Sequence, residues 1–395
     1  MCLSILGLVR FTVKASPTTI EVPRDYPTIQ EAIDHANPGD TIIVLAGTYH
    51  ENLYVDKSVT LMGENRDTTI IDGAAGWCAI EVNSSGVTIT GFTVVNATIG
   101  IYLYKSSGCI VSNNNVTGPH ININDEEGIW LYASNGSVVS DNIVYDFGWR
   151  GIVLCGHSSE DTVTLNTVRD CGEGIAVSGE GNFICHNNFV DNQDQALIMD
   201  SFHNAWNGTY EGNYWSNYNG TDANQDGIGD TPYSIDANNT DYYPLMGMFS
   251  QFEITKQAEN YTVTTICNST ITNFAYGTPS TGEISFTVTG PEGTEGFCRI
   301  AIPNALFEPN CTILIDGSPP LAQKELPLSN STYTYFYFTF TNTTHSIIIV
   351  PEFPRMLILL IIVLSMSATL VLTKRRPKTR PISYQADFGE QNKKS

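Results

Sequence analysis

A glycine followed by alternating apolar positions recurs along the first half of the chain. Gly100-Ile-Tyr-Leu, Gly128-Ile-Trp-Leu, Gly151-Ile-Val-Leu and Gly174-Ile-Ala-Val are spaced 28, 23 and 23 residues apart, and Ala196-Leu-Ile-Met follows 22 later. A second motif keeps phase with the first: Val111-Ser-Asn-Asn-Asn-Val, Val139-Ser-Asp-Asn-Ile-Val, Val163-Thr-Leu-Asn-Thr-Val and Ile184-Cys-His-Asn-Asn-Phe. Ile89-Thr-Gly-Phe-Thr-Val and Val59-Thr-Leu-Met-Gly extend it toward the N-terminus. Each repeat therefore holds two or three short strands with period-two apolar residues, separated by Gly, Asn and Asp turns. One such coil cannot bury its apolar face alone, whereas stacked coils can. With neighbouring strands about 4.8 Å apart, the pattern predicts a right-handed parallel β-helix with rungs of roughly 22 residues. Asn114, Asn142, Asn166 and Asn187 occupy one equivalent position, which predicts an asparagine ladder inside a turn. Tetratricopeptide and ankyrin arrays need a helical period that is absent.

The ends of such a solenoid need covering, because an open rung presents unpaired strand edges. Thr28-Ile-Gln-Glu31 reads as a capping box, and Ile29, Ala32, Ile33 and Ala36 share one helical face. A helix over about 28–36 is expected to seal the N-terminal end. The aromatic, glycine-rich stretch Trp206 to Tyr218 is expected to close the other. The β-helix thus spans 16–246. From about residue 250 the pattern becomes longer strand-like runs (Tyr261–Ile266, Ile284–Val288, Cys298–Ile302, Thr312–Ile315, Tyr333–Phe340, Ser346–Val350) with Gly/Pro turns. These predict a small antiparallel β-sandwich over 250–350, serving as a stalk. The fold class is therefore all-β, with one exception near the C-terminus.

That exception is Met356–Thr373, eighteen residues without a charge, followed at once by Lys374, Arg375 and Arg376. About 17–25 apolar residues cross a bilayer as a helix. A single transmembrane helix is expected here, with a basic cytoplasmic tail over 374–395 and residues 1–355 outside the cell. Residues 1–15 read as a weak secretory leader, with Val13-Lys14-Ala15 as its cleavage site. Twelve N-x-S/T sequons accord with export. So does the charge: 19 Lys+Arg against 41 Asp+Glu give a net of −22, which disfavours a nucleic-acid partner. Nine cysteines in an exported chain point to disulfides, although neither half has an even count once Cys2 is set aside, and no C-x-x-C occurs.

Several phrases together carry a family resemblance. Tyr26-Pro-Thr-Ile-Gln-Glu-Ala-Ile, Pro38-Gly-Asp-Thr-Ile-Ile-Val and Gly47-Thr-Tyr-His-Glu open the matching region; Gly212-Asn-Tyr-Trp-Ser and Asp226-Gly-Ile-Gly-Asp-Thr-Pro-Tyr close it. Over about residues 20–245 the chain resembles NosD-like β-helix proteins, which share their fold with pectin lyases and other sugar-acting β-helices. The resemblance implies fold and export. It does not imply copper handling, since His120, His157, His186 and His203 are scattered. Val350-Pro-Glu-Phe-Pro resembles the PEF-type sorting signals of archaeal surface proteins, implying a sortase-like processing enzyme; the 22-residue tail is longer than that pattern.

Three groupings carry candidate chemistry. Asp222, Asn224, Asp226, the Ile228 carbonyl and Asp230 have the alternating hard oxygens of a structural calcium loop, although Tyr233 stands where an EF-hand places glutamate. Tyr102, Tyr104, Trp130 and Tyr132 point outward between inward Ile and Leu, so they should stack on adjacent rungs as a platform for sugar rings. Asp170, Glu173, His157 and Arg150 are the weak catalytic candidates, falling in turns at unequal offsets. The paired carboxylates of a β-helix hydrolase and its basic partner are not evident. The leading expectation is a non-catalytic surface or adhesion module that binds polysaccharide or glycoprotein. A lyase or hydrolase with a diverged site, and a structural envelope component, are the alternatives.

Overall fold

The computed structural model describes residues 16–119, 125–200, 202–277, 282–306 and 311–351. The leader (1–15), the membrane helix Met356–Thr373, the PEF-type signal and the tail (374–395) lie outside these residues. Among the described residues no helix is long and apolar enough to cross a membrane.

Residues 16–246 coil into a parallel β-helix. Thr19–Val22, Thr41–Val44, Thr60–Gly63, Thr88–Thr90, Ile110–Ser112, Val138–Ser140, Thr162–Thr164 and Phe183–Cys185 stack as an eight-stranded parallel sheet. A thirteen-stranded sheet supplies the other two walls: Asn115–Thr117, Ile143–Tyr145, Thr167–Arg169 and Asn188–Val190 form one, and Thr93–Tyr104, Glu127–Tyr132, Arg150–Cys155, Glu173–Val177 and Asp194–Ile198 the other. The repeat sets the register, with Ile129 opposite Ile101 and Ile152, and Leu131 opposite Leu103 and Leu154. In one rung Val139, Val144, Ile152 and Leu154 are all fully buried, each stabilising the coil by about 1.5–3 kcal/mol as an upper figure.

The repeated glycine has a steric cause. A Cβ on Gly128 would lie 2.4 Å from Val144 Cγ1 and 2.5 Å from the Gly151 carbonyl oxygen, and Gly151 is crowded in the same way by Val168 and Gly174. The predicted asparagine ladder is present and longer than expected. The side-chain oxygens of Asn114, Asn142, Asn166, Asn187 and Asn213 each accept the backbone N–H one rung before, from Phe92 to Asn187, at 3.0–3.1 Å. Asp241 ends it by accepting from the Asn213 N–H. A second ladder, which the repeats did not announce, runs Ser137, Asp161, Asn182, Asn204, Asn239.

The helix Ile29–His35 covers the first rung with Ile29, Ala32 and Ile33 buried and Thr28 as N-cap. Glu51 accepts the Ile29 and Gln30 N–H groups at 3.0 and 2.9 Å, supplying an anion where the helix leaves donors unpaired. At the far end Trp206 and Trp215 are buried, and Trp215 stacks between Phe189 and Tyr233 at 4.7 and 4.6 Å.

The sandwich has three strands, Met248–Lys256, Thr270–Tyr276 and Ala322–Glu325, beyond the six that the sequence suggested. A five-stranded antiparallel sheet runs Met248–Lys256, Glu259–Cys267, Glu295–Pro303, Tyr333–Thr341, Ala322–Glu325. A four-stranded one runs Thr270–Tyr276, Ile284–Thr289, Thr344–Pro351, Cys311–Ile315, and residues from both share one core. The sandwich does not stand away from the β-helix on a linker. Asn188 exchanges two hydrogen bonds with the Phe249 backbone at 2.8 and 2.9 Å, and His186 stacks on Phe249 at 4.1 Å. Arg299, 3% exposed, crosses to Glu211, which also holds His186.

Candidate functional site

Outward residues of Thr93–Tyr104, Glu127–Tyr132 and Arg150–Cys155 form rows across the rungs, because strand register fixes which side chains are neighbours. Tyr102 stands opposite Trp130 and Tyr104 opposite Tyr132. The rings follow: Tyr102 and Trp130 lie 4.5 Å apart, and Tyr104 and Tyr132 5.7 Å apart and nearly parallel. Trp130 Nε1–H donates to Cys155 Sγ at 2.8 Å, which fixes the indole plane. Lys105 Nζ sits 4.8 Å over the Tyr104 ring.

The platform is not flat. Trp77, which sequence reasoning missed, meets Tyr102 edge-on at 5.5 Å and is 56% exposed, leaving Tyr102 only 7% exposed. Burial pushes the Tyr102 hydroxyl well above its usual range, with Tyr104 adding to it. The accessible aromatic surface is therefore a corner, with Trp130, Tyr104 and Tyr132 as floor and Trp77 as wall. Trp77 lies after a register shift between Asp72 and Gly76. That rung departs from the repeat, so periodicity gave no sign of it.

One row toward the strand starts, Glu127, Arg150 and Glu173 are in register. Arg150 Nε bonds Glu173 Oε2 at 2.6 Å, and Nη1 lies 3.5 Å from Glu127 Oε1. The guanidinium also stacks on Trp149, 3.7 Å from its ring centre. Glu127 is 3% exposed. Burial pushes its carboxyl up to about 7, and the pull of Arg150 only partly offsets this. Near neutral pH it is therefore partly protonated and able to donate a hydrogen bond. Of the four catalytic candidates the structure brings together Arg150 and Glu173. Asp170 and His157 stand apart as exposed turn residues with φ of 55° and 66°, and Asp170 pairs with Arg169. Asp146 and Asp191 adopt the same left-handed conformation at equivalent turns, a setting that favours aspartate for its backbone geometry. Glu127 was overlooked, although it precedes Gly128 as Arg150 precedes Gly151 and Glu173 precedes Gly174.

The Asp222–Asp230 loop uses its oxygens on itself. Asp222 accepts the Asp226 and Gly227 N–H groups at 2.9 and 2.8 Å, Asp226 accepts the Ile228 N–H at 2.9 Å, and Asp230 accepts the Ala223 N–H at 2.7 Å. Asn224 accepts from the Asp226 N–H, while its carbonyl takes a bond from Lys324 of the sandwich. Burial raises the Asp222 carboxyl above its ordinary range. The loop thus forms one wall of a cavity of about 330 Å³ at the junction, opposite Arg299, Lys324 and Leu326.

Residues 34–220 match the family model described as periplasmic copper-binding protein (NosD). The chain is a NosD-like parallel β-helix protein. A cell surface glycoprotein of Methanothermus fervidus is 29% identical over 119 residues, 29% of this chain and 20% of the relative. The probable ABC transporter binding protein NosD of Stutzerimonas stutzeri is 40% identical over 67 residues, 17% of this chain and 15% of that one. The NosD-like chain therefore spans a fifth or less of the curated relatives it matches. Among solved structures, an alginate lyase from Paenibacillus is 15% identical with a TM-score of 0.38, covering 50% of this chain and 89% of that one. Pectin methylesterase PemA from Erwinia chrysanthemi is 12% identical with a TM-score of 0.32, covering 63% and 86%. Among the described residues of the NosD-like chain, no group of three or more His, Cys, Asp and Glu side chains is arranged to hold a metal ion.

Proposed function

We propose that this protein is a surface recognition module that binds polysaccharide or glycoprotein glycan at the aromatic corner of its β-helix. The carrying observation is two in-register ring pairs, Tyr102–Trp130 and Tyr104–Tyr132, with Trp77 edge-on to Tyr102, five rings on one face with polar Glu81 and Lys105 at its border. Sugar rings present C–H faces that pack on aromatic planes while their hydroxyls bond to such a polar border. The cell-surface name of one relative is in keeping with this setting. The reading places the chain at the cell surface, held by Met356–Thr373 in the cytoplasmic membrane, with the PEF-type signal as substrate for a sortase-like enzyme.

A second reading, polysaccharide cleavage, draws on the Glu127–Arg150–Glu173 row beside the corner. Two rungs separate the carboxylates, about 9.6 Å between backbones, and inverting glycosidases set their pair about 6.5–9.5 Å apart. Arg150 engages both carboxylates in ion pairs, which suits a structural row better than a poised acid and base.

Binding of glycans to residues 16–351 tests the proposal. Trp77→Ala removes the half-exposed wall ring, and Trp130→Ala removes one of the three floor rings. Each is expected to weaken glycan binding about tenfold or more, equivalent to ~1.4 kcal/mol, with an unchanged melting temperature for Trp77→Ala. Unchanged affinity in both variants would sink the aromatic corner, and release of reducing ends would favour the second reading.

We also propose calcium as a structural ion at Asp222, Asn224, Asp226, the Ile228 carbonyl and Asp230, whose carboxylates would have to turn from the loop's own N–H groups to hold it. With an affinity on the order of 0.1–1 mM, as in extracellular modules, several millimolar calcium is expected to raise Tm by about 2–4 °C. That rise should vanish in Asp222→Asn/Asp226→Asn. An identical response with calcium and with chelator would remove the ion from the account.

A further inference from the structure

Cys267 ends one strand of the sandwich and Cys298 lies in the next, and the antiparallel register sets them directly opposite each other. Directly opposed residues point to the same side of a sheet. Here that side is the core, where both are buried within the cluster of Ile300, Phe338 and Ile349. Opposed antiparallel residues have Cα atoms about 4.5 or 5.5 Å apart, inside the roughly 4.4–6.8 Å that a disulfide spans. The Cys298 thiol is pushed far above its ordinary range by burial, and a hydrogen bond with Cys267 adds to the shift. Among the described residues no β-helix strand offers such a facing pair: Cys78, Cys155 and Cys185 stand opposite Ile99, Tyr132 and Thr164. Cys311 belongs to the other sheet, opposite Pro351.

We propose that Cys267 and Cys298 form a disulfide that staples the two central strands of the sandwich. It would close a ring of about thirty residues and clamp the strand whose next residue, Arg299, reaches across to Glu211 of the β-helix. The step is a thiol–disulfide exchange with a small or protein disulfide donor. The donor's S–S bond breaks and yields two thiols, while the two cysteines lose their protons and two electrons and gain one S–S bond. Buried thiols with a raised pKa exchange slowly, so the bond forms during folding, before the sheets close. Formation in the cell depends on the extracytoplasmic location proposed above; the pairing itself does not.

The test is refolding of the full chain in detergent with oxidised and reduced glutathione, alkylation, and digestion without reduction. Mass spectrometry is expected to find the Cys267 and Cys298 peptides joined. Reductant should then lower the Tm of the sandwich by roughly 10 °C, and this loss should be absent from Cys267→Ala/Cys298→Ala. If the double variant does not fold, the wild-type comparison with and without reductant stands alone. Separate alkylation of both cysteines, or a link from either to another cysteine, overturns the pairing. A link formed in vitro, with both residues alkylated in protein taken directly from cells, would instead count against the extracytoplasmic location.

Discussion

Replacing Asn166 with alanine is expected to cost about 3–5 kcal/mol, because it breaks the asparagine ladder at its centre. Asn166 Oδ1 accepts the Asn142 N–H and the Asn142 side-chain amide, both at 3.0 Å. Its own amide donates to the Val139 and Thr164 carbonyls and to Asn187 Oδ1 at 2.8–3.0 Å. The residue is fully buried, so water cannot replace these partners. Each orphaned buried donor or acceptor costs about 1–3 kcal/mol, and the chain of amides polarises along its length. Denaturant unfolding measures the loss. A cost below about 1 kcal/mol would mean that the ladder accompanies the fold without supporting it.

Asp161→Asn is expected to act in the opposite direction, and only above acid pH. Asp161 is fully buried in the second ladder; one carboxyl oxygen accepts the Ser137 N–H at 2.7 Å while Oδ2 has no partner. Burial pushes its carboxyl from 3.8 up to about 7. The folded state therefore holds the proton more tightly than the unfolded state. Stability is fully present below about pH 4 and is lost as pH rises through about 7. Three pH units correspond to about 4 kcal/mol as an order of magnitude. Asparagine supplies the same acceptor without charge, and its amide takes the place of the orphaned oxygen, as Asn182 does when it donates to the Ser158 carbonyl and to Asn204. Unfolding at pH 8 should show a stabilisation of a few kcal/mol that shrinks toward zero at pH 4. A gain independent of pH, or a loss at pH 8, would contradict the assignment.

What was most legible in the sequence was whatever repeats. The Gly-Ile-x-Leu motif is legible because one steric demand, the close approach of Gly128 to Val144 and Gly151, recurs at Gly100, Gly151 and Gly174. The ladder asparagines are legible for the same reason. The second ladder escaped notice because Ser137, Asp161 and Asn182 meet one demand, an oxygen facing the preceding rung, with three different side chains. The hairpin joining Met248–Lys256 to Glu259–Cys267 turns through Gln257 and Ala258 at φ of 55° and 66°, where a sequence signal would have needed Asn-Gly. Of the candidate site, the aromatic stacking followed from register alone. Trp77 did not, because it enters from an irregular rung, and the docking of the sandwich through Arg299 and Glu211 joins residues 88 apart with no local pattern between them.

These features make the β-helix a rigid scaffold whose one aromatic face is held by backbone register. The most direct measurement is a glycan array probed with residues 16–351, run in parallel with an assay for reducing and unsaturated sugar ends. The account predicts binding to a defined set of glycans, lost in Trp130→Ala, with no product released. Product release from bound glycans would contradict it in favour of catalysis, and a folded protein that binds none would leave the aromatic corner a packing feature of an envelope component.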